Sequence, residues 1–379
     1  MSAIRFVFAL LSLLVSALVL TKVPDLFLWQ LKVGATEYGN WFALAALLLV
    51  VAGRRQRFLD SVSVFLAICA AVLFLSSSVR AVRYADTARS TMDAAFPAPA
   101  GAPAVPGPFS FLKIWALGGA KEVDVQTLVY QEFAGQMMNL DFYPAQGRST
   151  PGPCLVIVHG GGWDRGSRKE FVSASHRLAA RGITVAAVDY RLAPNAKWPA
   201  QADDVRTAIS VLKQQADGLA IDPKKFILMG RSAGGQIAEA VAASGNVPEV
   251  IGCIALYSPA DMHFAFKYAD KKDILDSPKL LQQYLGGTPT EVKAAYDSSS
   301  AYGMISRRTV PMLLMHGLSD ELVWNQQSRR LAEKLKENGV RHAYLELPWA
   351  THAFDHNDNG PGGQIALWAI ERFVQSVAQ

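Results

Sequence analysis

The fold is decided by the stretch Phe226-Ile-Leu-Met-Gly-Arg-Ser-Ala-Gly-Gly235. Its first four residues are apolar and predict a buried strand, and Gln236–Ala243 after it is rich in helix formers. Residues 230–234 fit the pattern G-x-S-x-G, which holds a serine on a sharp turn between a strand and a helix. The glycines leave room for neighbouring backbone, and the helix N-terminus favours negative charge beside the serine. The stretch predicts that Ser232 is a nucleophile, the alternative being a chance match to a short pattern.

A glycine-rich loop, His159-Gly-Gly-Gly-Trp163, directly follows the predicted strand Cys154–Val158. Three glycines let backbone N–H groups turn toward a ligand without interference from side chains. Donors arranged in this way can stabilise the oxyanion of a tetrahedral intermediate. An ordinary glycine-rich strand exit is the alternative, but this loop together with G-x-S-x-G is much rarer than either motif alone.

A carboxylate follows a later apolar strand, where Gly317-Leu-Ser-Asp320 leaves the segment Pro311–His316. Asp320 could orient a histidine and stabilise its cation. A turn aspartate is the alternative, since aspartate is common at strand ends, and Glu321 is a less favoured substitute. Three further aspartates in a less regular region are poorer candidates: Asp273, Asp276 and Asp297.

The chain has seven histidines, of which His352 is the predicted general base. It follows the predicted strand Ala343–Leu347, in a loop that can reach the carboxyl edge of the sheet. His356 is the rival. The order Ser232, Asp320, His352 is the one expected of serine hydrolases built on a strand–turn–helix nucleophile.

Buried strands alternate with helical segments after Val123, which predicts a mostly parallel α/β sheet. Two alternating segments at the start, Val123–Tyr130 and Met137–Pro144, predict a hairpin. Further predicted strands are Cys154–Val158, Ile183–Val188, Val250–Leu256, Met312–Met315 and Ala343–Leu347, and predicted helices include Pro199–Gln214, Gln326–Asn338 and Gln364–Val377.

The first 92 residues predict a membrane segment. The chain is 51% hydrophobic and only 18% charged, and the excess of apolar residues lies at the front. There are three apolar runs: Ile4–Leu20, Trp41–Gly53 and Ser61–Val79. The first and third are near the roughly 20 residues that a helix needs to cross a bilayer, and the second is marginal unless it starts at about Ala35. We therefore expect three transmembrane helices and a multi-pass membrane protein. The alternatives are two spans with an interfacial segment, or a signal peptide in the first run.

Residues 93–110 predict a Pro/Ala-rich linker that holds a catalytic domain, residues 111–379, away from the bilayer. Arginines between the second and third runs favour a cytoplasmic loop there, which places the catalytic domain on the extracytoplasmic side. These are Arg54, Arg55 and Arg57, and they are opposed by Arg80, Arg83 and Arg89 after the third run.

Charge and cysteine content exclude other classes. The net charge is +5, but several basic residues flank the membrane runs and no basic stripe with interleaved aromatics occurs, so nucleic acid is not the expected partner. Cys69, Cys154 and Cys253 each lie in an apolar run without metal-ligand spacing. They predict buried structural thiols and no metal site.

Taken together, these motifs make the chain from Val123 to its end resemble the α/β-hydrolase superfamily. The loop His159–Trp163 resembles that of hormone-sensitive-lipase-like carboxylesterases and of bacterial feruloyl-esterase-like proteins. The segment Asp189-Tyr-Arg-Leu-Ala-Pro194 is similar to one those enzymes carry before the nucleophile, and its Arg191 is expected to pair locally. The fold expected is therefore an α/β-hydrolase fold preceded by an α-helical membrane segment.

The resemblance implies a serine hydrolase that cleaves a small-molecule carboxylic ester through an acyl-enzyme, without metal or organic cofactor. Ser232 would attack, His352 would act as base and acid, and Asp320 would hold His352. The N–H groups of three residues would bind the oxyanion: Gly161, Gly162 and Ala233. Arg231 departs from the acidic residue that lipase-like enzymes often have before the serine, which leaves the substrate class open.

Two other hypotheses use the same scaffold: a serine peptidase or acyltransferase, and a non-catalytic membrane module with a hydrolase fold. The second is disfavoured because all three triad residue types and the glycine loop are present. We expect the segment Asp261–Arg308 to cover the site and to select the acyl or alcohol group.

Overall fold

An eight-stranded, mostly parallel sheet forms the centre of the computed structural model, which describes residues 2–51, 58–101, 104–116 and 118–379. The strands are β1 (Gln126–Phe133), β2 (Gln136–Tyr143), β3 (Gly152–Val158), β4 (Thr184–Val188), β5 (Ile221–Arg231), β6 (Val250–Leu256), β7 (Met312–Gly317) and β8 (His342–Leu347). Their order is β1-β2-β4-β3-β5-β6-β7-β8. Strand β2 pairs antiparallel with both β1 and β4, and every other pair is parallel. The strand–turn–helix with Ser232 therefore leaves the middle of the sheet.

Among the described residues, four α-helices and a short 3-10 helix, Lys113–Trp115, precede the sheet; the four are α1 (Ser2–Ala17), α2 (Leu26–Glu37), α3 (Gly39–Val51) and α4 (Phe58–Ala95). Helices α1 and α3 both pack against the first half of α4, and we call α1, α3 and residues 58–80 of α4 the N-terminal bundle. Small side chains are buried between these helices, among them Ala43, Ala46 and Ala70. Close helix approach through small residues is common both in membrane bundles and in other tight helix pairs.

The bundle only partly matches the three predicted spans. Within the described part of the chain, one helical stretch, Asp60–Ala95 of α4, is long and apolar enough to cross a membrane. Of the residues in its most apolar window, 39% are buried inside the protein; by length and composition alone, such a helix resembles both a membrane span and a core helix of a soluble protein. Helices α1 and α3 have 16 and 13 residues, fewer than the roughly 20 that a span needs. Residues 52–57, with Arg54, Arg55 and Arg57 and the end of the second run, lie outside the described residues.

Helix α4 continues from the bundle onto the catalytic domain. Ala81, Ala88 and Met92 are buried in a core shared with the last helix of the chain, and the Phe96 ring lies 4.8 Å from that of Phe373. Ser110 donates its N–H to the side chain of Gln364 at 2.9 Å. This differs from the extended spacer predicted for residues 93–110, because the chain is already packed on the domain at both ends of that segment. Residues 102 and 103 of the segment lie outside the described residues.

The other helices cover both faces of the sheet. They are α5 (Val172–Ala180), α6 (Ala200–Gln214), α7 (Ala233–Ser244), α8 (Met262–Tyr268), α9 (Ser277–Leu285), α10 (Lys293–Ser299), α11 (Ala301–Met304), α12 (Gln326–Glu337) and α13 (Pro361–Val377). Alternate residues of β3 join opposite cores: Val156 packs with residues of α6 and α7, and Leu155 with residues of α5 and α13. Burial on both faces explains why the inner strands are apolar without alternation.

The predicted fold class, the hairpin and the order of strands and helices are confirmed, with ends that differ by a few residues. The local pairing predicted for Arg191 is also present, since its guanidinium binds Asp204 at 2.7 Å. Cys154 and Cys253 are buried as predicted, whereas Cys69 on α4 is partly exposed, so that prediction was wrong for this thiol.

Glu239 on α7 is completely buried, and burial raises the pKa of its carboxyl to about 8. The folded protein then keeps a proton that the unfolded chain releases above the ordinary value near 4.5, so stability falls as pH rises between these values. We expect Glu239→Gln to melt like the wild type at pH 5 and to be more stable at pH 8, by on the order of 2–4 kcal/mol. Thermal melts at the two pH values measure this. Glu333→Gln, on an exposed position of α12, is the control, and a wild type equally stable at both pH values would contradict the prediction.

Candidate active site

Ser232 sits on a strained turn between β5 and α7, with φ 51° and ψ −119°. Its flanking glycines have no space for a side chain. A Cβ on Gly230 would lie 2.1 Å from the carbonyl oxygen of Gly234, and one on Gly234 would lie 2.1 Å from that of His159. The G-x-S-x-G pattern is therefore a steric requirement, which presses the turn against the glycine loop.

The glycine loop after β3 turns its backbone toward the same place. Gly161 and Gly162 have φ of 97° and 58°, in the region that favours glycine. A Cβ on Gly161 would lie 2.2 Å from the carbonyl oxygen of Arg165. Within the described part of the chain, the N–H groups of Gly161, Gly162 and Ala233 donate to no other residue, whereas that of Gly160 binds Glu170 at 3.1 Å. Three donors are thus available beside Ser232.

Asp320 and His352 meet after β7 and β8. The Nδ1 atom of His352 lies 2.7 Å from Oδ2 of Asp320, and the other carboxylate oxygen accepts the N–H groups of Leu322 and Val323 at 2.9 Å. Burial alone would raise the pKa of Asp320, but the adjacent His352 and the hydrogen bond from His316 hold it well below its usual range. An ionised Asp320 accepts a hydrogen bond from the Nδ1–H group of His352, which leaves Nε2 as the basic nitrogen.

The remaining histidines have other surroundings. His316 lies 3.2 Å from Asp320, but it is fully buried and its Nδ1 is 2.7 Å from Ser328. The ring of His159 stacks on Tyr190 at 4.1 Å, and burial lowers its pKa. The rival His356 faces Tyr38, 6.3 Å between ring centroids, and does not line the cavity described next.

A cavity of about 890 Å³ joins these groups. Ser232, His352, Asp320 and the glycines of the loop after β3 all line it, and the segment Asp261–Arg308 supplies one wall, as expected. Trp163 of the glycine loop and Trp324 line the cavity, whereas Trp198 and Trp349 are buried elsewhere. The poorer acid candidates lie apart from the Asp320–His352 pair: Asp273 at the cavity wall, Asp276 before α9, and Asp297 paired with His263.

Sequence reasoning missed the partner of Arg231. Its guanidinium is buried and binds Asp355 at 2.8 Å, while the Tyr257 hydroxyl donates to Asp355 at 2.5 Å. Burial would lower the pKa of Arg231, but the facing Asp355 carboxylate raises it. The Tyr257 ring lies 4.3 Å from that of His352. The positive charge of Arg231, the residue before Ser232, is therefore neutralised by Asp355, which lies three residues after His352.

Sequence reasoning also missed that the N-terminal region reaches the site. Val23 and Pro24, in the loop before α2, line the cavity together with Leu26, Trp29 and Gln30. Little in the sequence indicated that α2 contacts the cavity, because this helix carries few charges and lies between two apolar runs. Among the described residues, no group of three or more His, Cys, Asp or Glu side chains is arranged to hold a metal ion.

The fold and these groups define an α/β-hydrolase of the carboxylesterase class. The model of the BD-FAE family matches residues 140–335, just over half of the chain, and the chain belongs to this family.

Curated relatives carry related descriptions. Esterase LipC of Mycobacterium tuberculosis is 29% identical over 300 residues, which cover 74% of this chain and 70% of the relative. The probable carboxylic ester hydrolase LipM of the same organism is 27% identical over 296 residues, 74% of this chain and 67% of the relative. The chain is accordingly a carboxylic ester hydrolase.

Solved structures agree on the fold. A bacterial heroin esterase superposes with a TM-score of 0.60 at 20% identity, covering 68% of this chain and 84% of that one. Esterase Est2 from the planctomycete Thermogutta terrifontis has a TM-score of 0.51 at 24% identity, over 61% and 83% of the two chains. At these identities the likeness concerns the fold alone.

Removing Arg231 should destabilise the protein strongly. We expect Arg231→Met to lower the free energy of unfolding by about 3–5 kcal/mol, because it leaves Asp355 charged, buried and unpaired. Adding Asp355→Asn should cost less than the sum of the two single changes, since the double variant holds no unpaired charge. Urea unfolding of the single and double variants measures this, and an Arg231→Met protein as stable as the wild type would refute it.

Proposed function

We propose that the chain cleaves carboxylic esters through an acyl-enzyme on Ser232, with His352 as general base and acid and Asp320 as its orienting carboxylate. The proposal depends most on one observation: His352 is held by Asp320 and shares a cavity with a serine on a strained turn. The N–H groups of Gly161, Gly162 and Ala233 form the oxyanion hole in this proposal.

The proposed reaction follows from the proton positions. Nε2 of His352 takes the hydroxyl proton as Ser232 Oγ attacks the carbonyl carbon, and the three N–H groups stabilise the oxyanion. His352 then gives that proton to the leaving alcohol oxygen as the ester C–O bond breaks. In the second half, His352 deprotonates a water molecule that attacks the acyl carbon, and the proton returns to Ser232 as the acid leaves.

We further propose that the N-terminal bundle anchors this domain in a membrane, as a multi-pass segment with the domain on the extracytoplasmic side. The support is an inverted distribution of side chains: alanines are buried between the helices and large apolar residues face outward. The outward residues include Phe8, Leu11 and Leu14 of α1, Leu48 of α3, and Phe65, Ile68 and Val72 of α4. Exposed apolar surface of this extent favours contact with lipid.

A fluorophosphonate probe tests the nucleophile in the full-length protein. We expect the wild type to be labelled and to hydrolyse p-nitrophenyl butyrate, and Ser232→Ala to lose both, with hydrolysis lowered by at least about 10³-fold. The matched control is Ser277→Ala, a second serine lining the cavity, which should keep both activities. Labelling that persists in Ser232→Ala would refute the assignment.

Carbonate extraction of cell membranes tests the anchor. We expect the wild type to stay in the membrane pellet, and Ile68→Lys combined with Val72→Lys to shift protein to the soluble or aggregated fraction, since each lysine costs about 3 kcal/mol at a bilayer centre. Val129→Lys, an exposed valine on β1, should leave the distribution unchanged. Wild-type protein released by carbonate would exclude an integral anchor.

A further inference from the structure

Helix α2, from the region before the hydrolase domain, lies directly against the catalytic loops. The Trp29 ring is 6.4 Å from that of His352, centroid to centroid. Leu26 and Gln30 of the same helix, and Val23 and Pro24 just before it, line the cavity that contains Ser232. One wall of the active-site cavity is therefore built by residues outside the hydrolase fold.

A buried ion pair fixes the middle of α2 to the acid loop. Lys32 binds Glu321, and their side chains are only 2% and 9% exposed. Glu321 directly follows Asp320, and its other oxygen accepts the hydroxyl of Thr351 at 3.1 Å, next to His352. A buried charge pair of this kind is costly to break from one side. Lys32 thus connects α2 to both loops that carry the Asp320–His352 pair.

A second set of contacts fixes the C-terminal end of α2. The buried carboxyl group of Glu37 accepts the N–H of Gly362 at 3.0 Å, at the start of α13. The backbone oxygen of Glu37 accepts the side-chain amide of Asn357 at 2.8 Å. With both its middle and its end held by buried polar contacts, α2 is a fixed wall of the site.

The proposed mechanism determines which part of the substrate contacts α2. His352 must protonate the oxygen of the leaving alcohol, so that oxygen has to lie within hydrogen-bonding reach of its ring. The alcohol group extends from this oxygen on the histidine side of the cavity. Trp29 lies on that side, and Leu26, one turn earlier on α2, adds apolar surface to it.

We propose that α2 forms the leaving-group subsite, with Trp29 as the specificity-determining residue, and that the site selects esters of large apolar alcohols. This inference rests on the proposed serine esterase function and refines it. Lys32 is a positioning residue, which acts by holding α2 against Glu321.

The test varies the alcohol and the acyl group separately. The values of kcat/KM are measured for methyl, hexyl and benzyl butyrate, and for methyl acetate, methyl butyrate and methyl octanoate. We expect the wild type to prefer benzyl and hexyl over methyl butyrate. Trp29→Ala should reduce this preference by about ten-fold or more, because the apolar contact is lost, and should leave the order within the acyl series unchanged.

Two variants serve as controls on the same helix. Trp29→Phe keeps an aromatic ring and should retain most of the preference for large alcohols. Phe27→Ala removes an exposed aromatic side chain that does not line the cavity, and should behave as the wild type. Where Trp29→Ala fails to fold, Trp29→Gln, which keeps side-chain length but replaces the apolar ring with a polar amide, supplies the same comparison.

The results that would overturn the proposed function differ from those that would overturn the inference about Trp29 alone. A wild type that is not labelled at Ser232 and hydrolyses none of the esters would overturn the proposed function, and this inference with it. A labelled, active Trp29→Ala or Trp29→Gln protein whose alcohol preference equals that of the wild type would overturn the inference alone. An equal loss on the alcohol and acyl series would also overturn it, because it would indicate a general structural role for Trp29.

Discussion

Backbone crowding at the nucleophile turn is the constraint on which the rest of the site depends. Gly230 approaches the start of α7, and Gly234 approaches the end of β3, so closely that neither can carry a side chain. The turn therefore locks β3, β5 and α7 together, and with them the glycine loop and Ser232. Because β7 and β8 extend the same parallel sheet, their loops bring Asp320 and His352 to the same edge. The positions of the glycine loop and of Ser232 follow from this close contact, and the position of the Asp320–His352 pair follows from the order of strands in the sheet.

Much of this arrangement could be predicted from the sequence, because it depends on local chemistry and on chain order. Strands that are buried on both faces, such as Cys154–Val158, are recognisable in the sequence as continuous apolar runs. The glycines of the two motifs are required because a side chain at these positions would collide with neighbouring backbone. The Asp320–His352 pair also follows from topology, since residues after adjacent parallel strands meet at the carboxyl edge. These features need no knowledge of distant contacts.

Other parts could not be predicted, because they depend on contacts with no local pattern. Lys32 and Glu321 are 289 residues apart, and neither lies in a recognisable motif. Arg231 was noted as unusual, but its neutralisation by Asp355 could be seen only once the histidine loop was placed. The apolar composition of the first 92 residues suggested a separate membrane segment, and composition alone does not tell which helix turns back onto the catalytic domain.

The length of α4 has a mechanical consequence. Its 38 residues correspond to about 57 Å of continuous helix, one half in the bundle and the other embedded in the hydrolase core. A continuous helix that packs into both the bundle and the hydrolase domain resists bending between them, so it fixes their relative orientation. The hydrolase domain, and the cavity within it, therefore keeps one orientation relative to the bundle.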